Sequence, residues 1–208
     1  NYIMTQLDIF YNNIDIMRFS MNYDIYHSSI TYFPLLPLSK TASFERKVLD
    51  IRQMPAQVLF PHWDDEFEFI YVLSGMMEFR VRQKAFLVSS GEGFFLNTGE
   101  IHSACAYQSY DCRFVIYRIC PSVLFQTEDN PLYQKYIKPL VDHPSFGFLT
   151  LVPKVPWQKY ILEMIRKMNE ICDRPVDGYE LKINHFVNEI FYYIFHNVNL
   201  SRELSLKE

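Results

Sequence analysis

The stretch Pro61-His62-Trp63-Asp64-Asp65-Glu66-Phe67-Glu68-Phe69-Ile70-Tyr71-Val72-Leu73-Ser74-Gly75 decides how this chain is read. Side chains alternate between faces along a strand, so His62, Asp64 and Glu68 share a parity and can point the same way. The dense apolar and aromatic run from Phe67 to Leu73 predicts a strand. Ser74-Gly75 predicts the hairpin turn that ends it, with Met76 to Val81 as the returning strand. Further along, Gly91-Glu92-Gly93-Phe94-Phe95-Leu96-Asn97-Thr98-Gly99-Glu100-Ile101-His102 sets another histidine just after a turn. Two histidines and two carboxylates converging inside a barrel make a set that could hold Fe(II), Mn or Zn. The same groups could hydrogen-bond the hydroxyls or carboxylates of a small polar molecule.

Outward from this stretch, the chain between Tyr23 and Ile119 reads as short strands broken by turn residues. Phe44 to Ile51 mixes apolar and charged positions as a half-exposed strand does. Phe86-Leu87-Val88 stops at Ser89-Ser90-Gly91, Phe94-Phe95-Leu96 stops at Asn97-Thr98-Gly99, and Arg113 to Ile119 stops before Pro121. Short strands at this rhythm predict a sandwich or barrel. Pro131 to Leu140 predicts a short helix, and Phe146 to Val152 a strand returning to the sheet.

The period then changes. Trp157, Ile161, Ile165, Met168 and Cys172 recur at helical spacing behind Pro156, which suits a first helical turn. A second helix is predicted from Asp177 to Asn197, opened by a capping box between Asp177 and Glu180. Its stripe Ile183, Phe186, Val187, Ile190 and Ile194, widened by Phe191 and Phe195, holds more apolar surface than one contact face requires. That excess predicts a homodimer interface on the second helix, beside the plainer reading that both helices cover the barrel. The tail from Ser201 to Glu208 is polar and has no capping signal, as expected at a domain boundary.

Composition narrows the function. The 208 residues are 49% hydrophobic and 21% charged, ordinary for a globular domain with a real core. The net charge of −4 and the scattered lysines and arginines disfavour direct binding to nucleic acid. No run approaches the length of apolar sequence a membrane span needs, and Asn1 to Phe10 lacks the pattern of a signal peptide, so a cytoplasmic protein is expected. Cys105, Cys112, Cys120 and Cys172 form no Cys-x-x-Cys pair and read as reduced core residues. The many Phe and Tyr residues are read as a compositional bias, not as a sugar-binding box.

These motifs resemble a known family. The stretch around His62 is similar to the first cupin motif: His62, Glu68 and Gly75 match, Asp64 replaces the second histidine, and Ala56 stands at the opening glycine. The stretch around His102 is similar to the second cupin motif through Gly91, Gly99 and His102, with Asn97 in place of a proline and Ala106 in place of an asparagine. Glu68 to Gly75 and Asn97 to His102 look like the version found in arabinose-regulator (AraC) type sensors. The resemblance implies a mainly β fold, a cupin-type β-barrel (double-stranded β-helix) followed by a two-helix hairpin. It implies an effector-binding domain over residues 1–152, with barrel core 23–119 and extension 120–152, and a helical dimerisation region over 153–208. It further implies a helix-turn-helix DNA-binding domain that is absent from this chain.

The sensor reading makes His62, Asp64, Glu68 and His102 the partners of a small polar effector, a sugar or organic acid. It expects His62, Glu68 and His102 to face a common cavity. Tyr71, Phe79, Phe95 and Tyr117 are candidate walls, and Arg82, with Arg80 and Arg113, could select an anion. No catalytic residue, cofactor or metal is expected; if a metal were held, His62, Glu68 and His102 would hold it. The alternative is a metal-dependent cupin enzyme, a dioxygenase or isomerase, using those three residues as a two-His, one-carboxylate set. A plainer alternative makes His62 and His102 satisfied core histidines.

Overall fold

The computed structural model describes residues 33–34, 44–108, 110–125, 127–143 and 145–198. The expected barrel start at Tyr23 and the polar tail lie outside these. Among the described residues nine strands form: β1 (Phe33–Pro34), β2 (Phe44–Asp50), β3 (Val58–His62), β4 (Phe67–Val81), β5 (Lys84–Ser89), β6 (Gly93–Leu96), β7 (His102–Ala106), β8 (Cys112–Ile119) and β9 (Phe148–Leu151). The helices are α1 (Ser122–Phe125), α2 (Lys138–Val141) behind a π-helical turn (Tyr133–Ile137), α3 (Pro156–Asp173) and α4 (Tyr179–Asn197). The predicted helix after Pro121 is present as continuous helical turns over 131–141, and the predicted strand is present in shortened form.

Every strand pairing is antiparallel. One arm runs β1-β2-β8-β4-β6-β9, and a second runs β3-β7-β4-β5, with β4 shared. β4 is 15 residues long and does not turn at Ser74-Gly75. Its first half pairs with β6 and β8, and its second half with β5 and β7. The expected hairpin is a bend instead. The register against β8 slips between Val72 and Ser74, and Gly75 takes φ +79°, the left-handed region where glycine carries no Cβ penalty. A Cβ on Gly75 would stand 1.6 Å from the Asp111 carbonyl oxygen. The true turn is Arg82-Gln83, between the partners Val81 and Lys84, with Arg82 at φ 54°.

The closed barrel expected from the sequence is also corrected. Among the described residues the arms end at β1, β9, β3 and β5, so the sheet is open. Both of its faces are nevertheless buried. Ile70, Val72, Phe79, Phe94, Leu96, Phe114 and Ile116 pack on the inner face, between the two arms. Phe67, Phe69, Tyr71, Phe95, Val115 and Tyr117 face the other way and pack beneath α3 and α4. Burial on both faces is why the strands read as continuous apolar runs, not clean alternation.

α3 and α4 pair as a hairpin and close over this outer face. Arg46 of β2, 2% exposed, pins α3 to the sheet. Its guanidinium donates to Asn169 Oδ1 at 3.1 and 2.5 Å and to Asp173 Oδ1 at 2.6 Å. Asn97 holds the preceding segment by donating to the carbonyls of Leu140 and Phe146 at 2.7 and 2.9 Å. The expected capping box does not form. The chain enters α4 through Gly178 at φ 80°, with no side-chain cap, so Asp177 stands one residue too early.

The stripe expected at a dimer interface is buried within the single chain. Ile183, Val187, Ile190 and Ile194 are at most 2% exposed within a single chain, and Phe186 is half-buried against the same core. Phe191 packs on Phe67, Phe69 and Phe95, with ring centroids 5.1, 5.9 and 6.1 Å away. The excess apolar width is consumed by two neighbours at once, α3 and the sheet. Among the described residues, no helix is long and apolar enough to cross a membrane. Cys105, Cys112 and Cys172 are buried and Cys120 is half-buried.

Candidate functional site

Strand register assembles a charged cluster at one end of the inner face. His62 closes β3 and is the cross-strand partner of His102, which opens β7, so their rings stand 4.2 Å apart. Glu68 of β4 is the partner of Arg118 of β8, and Arg118 is in turn the partner of Glu45 of β2. Parity then turns Glu68, Arg118, Glu45 and Lys47 to the inner face, because Ile70, Phe114 and Ile116 at matching positions pack there. Phe79 stacks on His102 at 5.7 Å.

The two imidazoles are held alike. His62 Nδ1 lies 2.7 Å from the Phe60 carbonyl oxygen, and His102 Nδ1 lies 3.0 Å from that of Glu100. A carbonyl can only accept, so each Nδ1 carries the proton and each Nε2 is turned toward the cluster. His102 Nε2 stands 2.9 Å from Glu68 Oε2, yet the two are not aligned as a hydrogen bond. The other Glu68 oxygen, Oε1, accepts from Arg118 Nε at 3.0 Å. Arg118 also reaches Asp64 Oδ2 at 3.3 Å and Glu45 Oε2 at 3.5 Å, and Glu45 pairs with Lys47 at 3.2 Å. Asp64 Oδ2 is 3.7 Å from His62 Nε2.

Burial governs the charges. It pushes the His62 imidazole down to about 3, helped by the neighbouring His102, so His62 is neutral. It also pushes Asp64 up, reinforced by the Glu68 carboxylate. For Glu68 burial acts upward, but His102, His62 and Arg118 outweigh it and hold the carboxyl below its ordinary range. His102 is raised despite its burial, because Glu68 lies against it. Burial and Arg118 lower Lys47. Glu68 and His102 are sealed, whereas the side chains of His62, Asp64 and Arg118 keep 11–13% of their surface in solvent. The cluster therefore opens on the His62–Asp64–Arg118 side.

Of the candidate site residues, His62, Asp64, Glu68 and His102 come together, and Tyr71 and Arg82 do not join them. Tyr71 has the opposite parity to Glu68 and lies beneath the helices. Arg82 sits in the β4–β5 turn and pairs with Glu100 at 2.7 and 2.9 Å. Arg80 pairs with Glu78 at 2.8 Å, and Arg113 is exposed. Of the candidate walls only Phe79 is on the inner face; Phe95 and Tyr117 lie with Tyr71 on the helix side. Sequence reasoning missed Arg118, Glu45 and Lys47. Arg118 had a signal: it continues the inner parity of Phe114 and Ile116 as the one charged member of that row. Lys47, in a strand read as half-exposed, keeps only 3% of its side chain in solvent.

Comparison with known proteins bears on this geometry. A family model described as the AraC-like ligand binding domain matches residues 49–182. An uncharacterized HTH-type transcriptional regulator of Bacillus subtilis (strain 168), YdeC, is 29% identical over 122 residues, which is 59% of this chain and 41% of the relative. The chain thus spans less than half the length of that curated relative. ToxT from Vibrio cholerae superposes with a TM-score of 0.50 at 12% identity, over 74% of this chain and 56% of ToxT, a likeness of fold alone. The AraC-like transcriptional activator CuxR has a TM-score of 0.45 at 11% identity, over 80% of this chain and 54% of CuxR.

Proposed function

This chain belongs to the AraC-like ligand-binding domain family, and from that premise we propose that it senses a small polar effector for a transcription regulator. The effector, a sugar or organic acid, binds without being transformed. His62, Asp64, Glu68, His102 and Arg118 are its partners. The observation that carries the reading is this buried cluster, open on one side, within a domain of a ligand-binding family. Ionisable groups in a core seldom improve stability over apolar residues of similar volume, so a cluster of five points to use. Carboxylates accept from effector hydroxyls, and Arg118 donates to an effector carboxylate.

In this reading residues 1–152 form the effector-binding part and residues 153–208 the helical part. DNA is bound by a helix-turn-helix domain elsewhere in a longer, cytoplasmic protein, consistent with the regulator name of the Bacillus relative. A homodimer brings two such domains to two half-sites. Its contact is the outer face of the helical hairpin, where exposed Tyr160 stacks on Tyr193 and exposed Tyr192 on His196.

The test is a thermal-shift screen of sugars and organic acids. A true effector at a hundredfold excess over its Kd stabilises the fold by about 2.7 kcal/mol, which raises Tm by roughly 5–11 °C in a chain of this size. His102→Ala and Glu68→Gln should abolish the shift. A panel with no stabilising member, or a shift untouched by both variants, defeats the reading.

A further inference from the structure

Strands β2 and β8 separate the charged cluster from the helical hairpin, and adjacent residues on them serve opposite faces. On β2, Glu45 and Lys47 turn to the cluster, while Phe44 and Arg46 turn to the helices. On β8, Arg118 turns to the cluster and Tyr117 to the helices. Register sets Glu45 opposite Arg118 and Arg46 opposite Tyr117. Two cross-strand pairs, one residue apart, therefore look out of opposite faces of a single ladder.

The helix-side pair is unevenly used. Arg46 gives its donors to Asn169 and Asp173 of α3. Tyr117 is 0% exposed, its ring lies 5.6 Å from that of Phe44, and its hydroxyl has no aligned hydrogen bond. Burial pushes the phenol well up, so it stays protonated and its oxygen can accept. An unpaired hydroxyl in a core is costly to keep, and the guanidinium directly across the ladder is a donor within its reach. On the cluster side, Glu45 is the outlying partner of Arg118, at 3.5 Å against 3.0 Å for Glu68 and 3.3 Å for Asp64.

We propose that Arg46 is a two-position latch on α3, set through β2 by whether Glu45 is held to Arg118. In the first position Glu45 is on Arg118, Arg46 grips Asn169 and Asp173, and α3 is held to the sheet. When an effector draws Arg118 away, Glu45 lets go, β2 shifts, and Arg46 turns its donors to the Tyr117 hydroxyl, freeing the last turn of α3. Both positions keep the buried guanidinium hydrogen-bonded, so a small difference at Glu45 suffices to choose between them. β2 is free to shift because its neighbour on the side away from β8 is the two-residue β1. The last turn of α3 leads into the link to α4, so the latch acts on the hairpin. The proposal rests on the sensing reading for what draws Arg118 away, though not for the latch itself.

The test needs no effector. Amide hydrogen exchange in the full chain is followed by mass spectrometry for wild type, Glu45→Gln, Tyr117→Phe and the double variant. Glu45→Gln weakens the hold on Arg118 and should speed exchange over residues 169–173 by about fivefold or more, with residues 156–165 and β4 within about twofold of wild type. Tyr117→Phe removes the second position, so it should not speed these amides, and in the double variant the Glu45→Gln effect should vanish. Should Tyr117→Phe misfold, Asn169→Asp takes its place, since a charged partner tightens the first position and should suppress the effect likewise. No local change in Glu45→Gln overturns the latch, as does a speed-up that persists in full in the double variant. A uniform speed-up across β2, β8 and α3 marks plain destabilisation and overturns it too. A failed effector screen leaves this result standing, and a failed exchange test leaves the sensing reading intact.

Discussion

Replacing Phe191 by alanine asks whether α4 belongs to its own chain's core. The ring is 3% exposed and touches Phe67, Phe69 and Phe95 at centroid distances of 5.1, 5.9 and 6.1 Å, two of them edge-on. A buried Phe→Ala change costs about 3–5 kcal/mol through lost burial and the cavity left behind. Here the three aromatic contacts place the expectation near the middle, about 4 kcal/mol, because edge-on pairs add to plain area burial. The sheet's rings are fixed by strand pairing and cannot collapse into the gap. Equilibrium urea unfolding followed by circular dichroism reads the loss, and a drop in Tm of about 8–16 °C should accompany it. Leu181→Ala on the same helix is the control, since Leu181 is 77% exposed and its loss should change stability by no more than about 0.5 kcal/mol. The measurement is repeated across a hundredfold range of protein concentration. A Phe191→Ala cost below about 1 kcal/mol, or one that appears only at high concentration, would refute the reasoning and return the ring to an interface.

The double change Ile190→Glu and Ile194→Glu should unfold or aggregate the chain and not yield a folded monomer, because both side chains are at most 1% exposed; light scattering with circular dichroism checks it. Gly75→Ala should cost more than about 3 kcal/mol by denaturant unfolding, since its Cβ would meet the Asp111 carbonyl at 1.6 Å and its φ is +79°. Arg46→Ala strips the buried Asn169 of its donor and should cost about 2 kcal/mol, with faster hydrogen exchange in α3. Asp173→Ala should cost under about 1 kcal/mol, because that partner is half in solvent. In native protein at pH 8 a thiol-alkylating reagent should modify Cys120 first. Burial pushes the thiols of Cys112 and Cys172 up to about 12 and 11 and also raises Cys105, so those three should react only after unfolding, as peptide mapping would show.

The sequence by itself determined the local pieces of this protein. The strands around Phe67 to Ile119 and the two long helices follow from runs, turn residues and periodicity, which are properties of near neighbours. So does the common parity of His62 and Glu68. Only the tertiary structure decided the rest. Ser74-Gly75 resembles a turn in isolation, and becomes a bend because β6, β8, β5 and β7 all pair along one continuous strand. Parity divides β4 into two faces without saying that helices bury the second, so Tyr71 could not be told from Glu68's side of the sheet by burial alone. A wide apolar stripe on α4 signals two contacts; it does not say whether they are α3 and the sheet or a second chain. Arg118, Glu45 and Lys47 join the site because antiparallel register makes residues far apart in the chain direct partners, and register is a long-range choice that no local window contains.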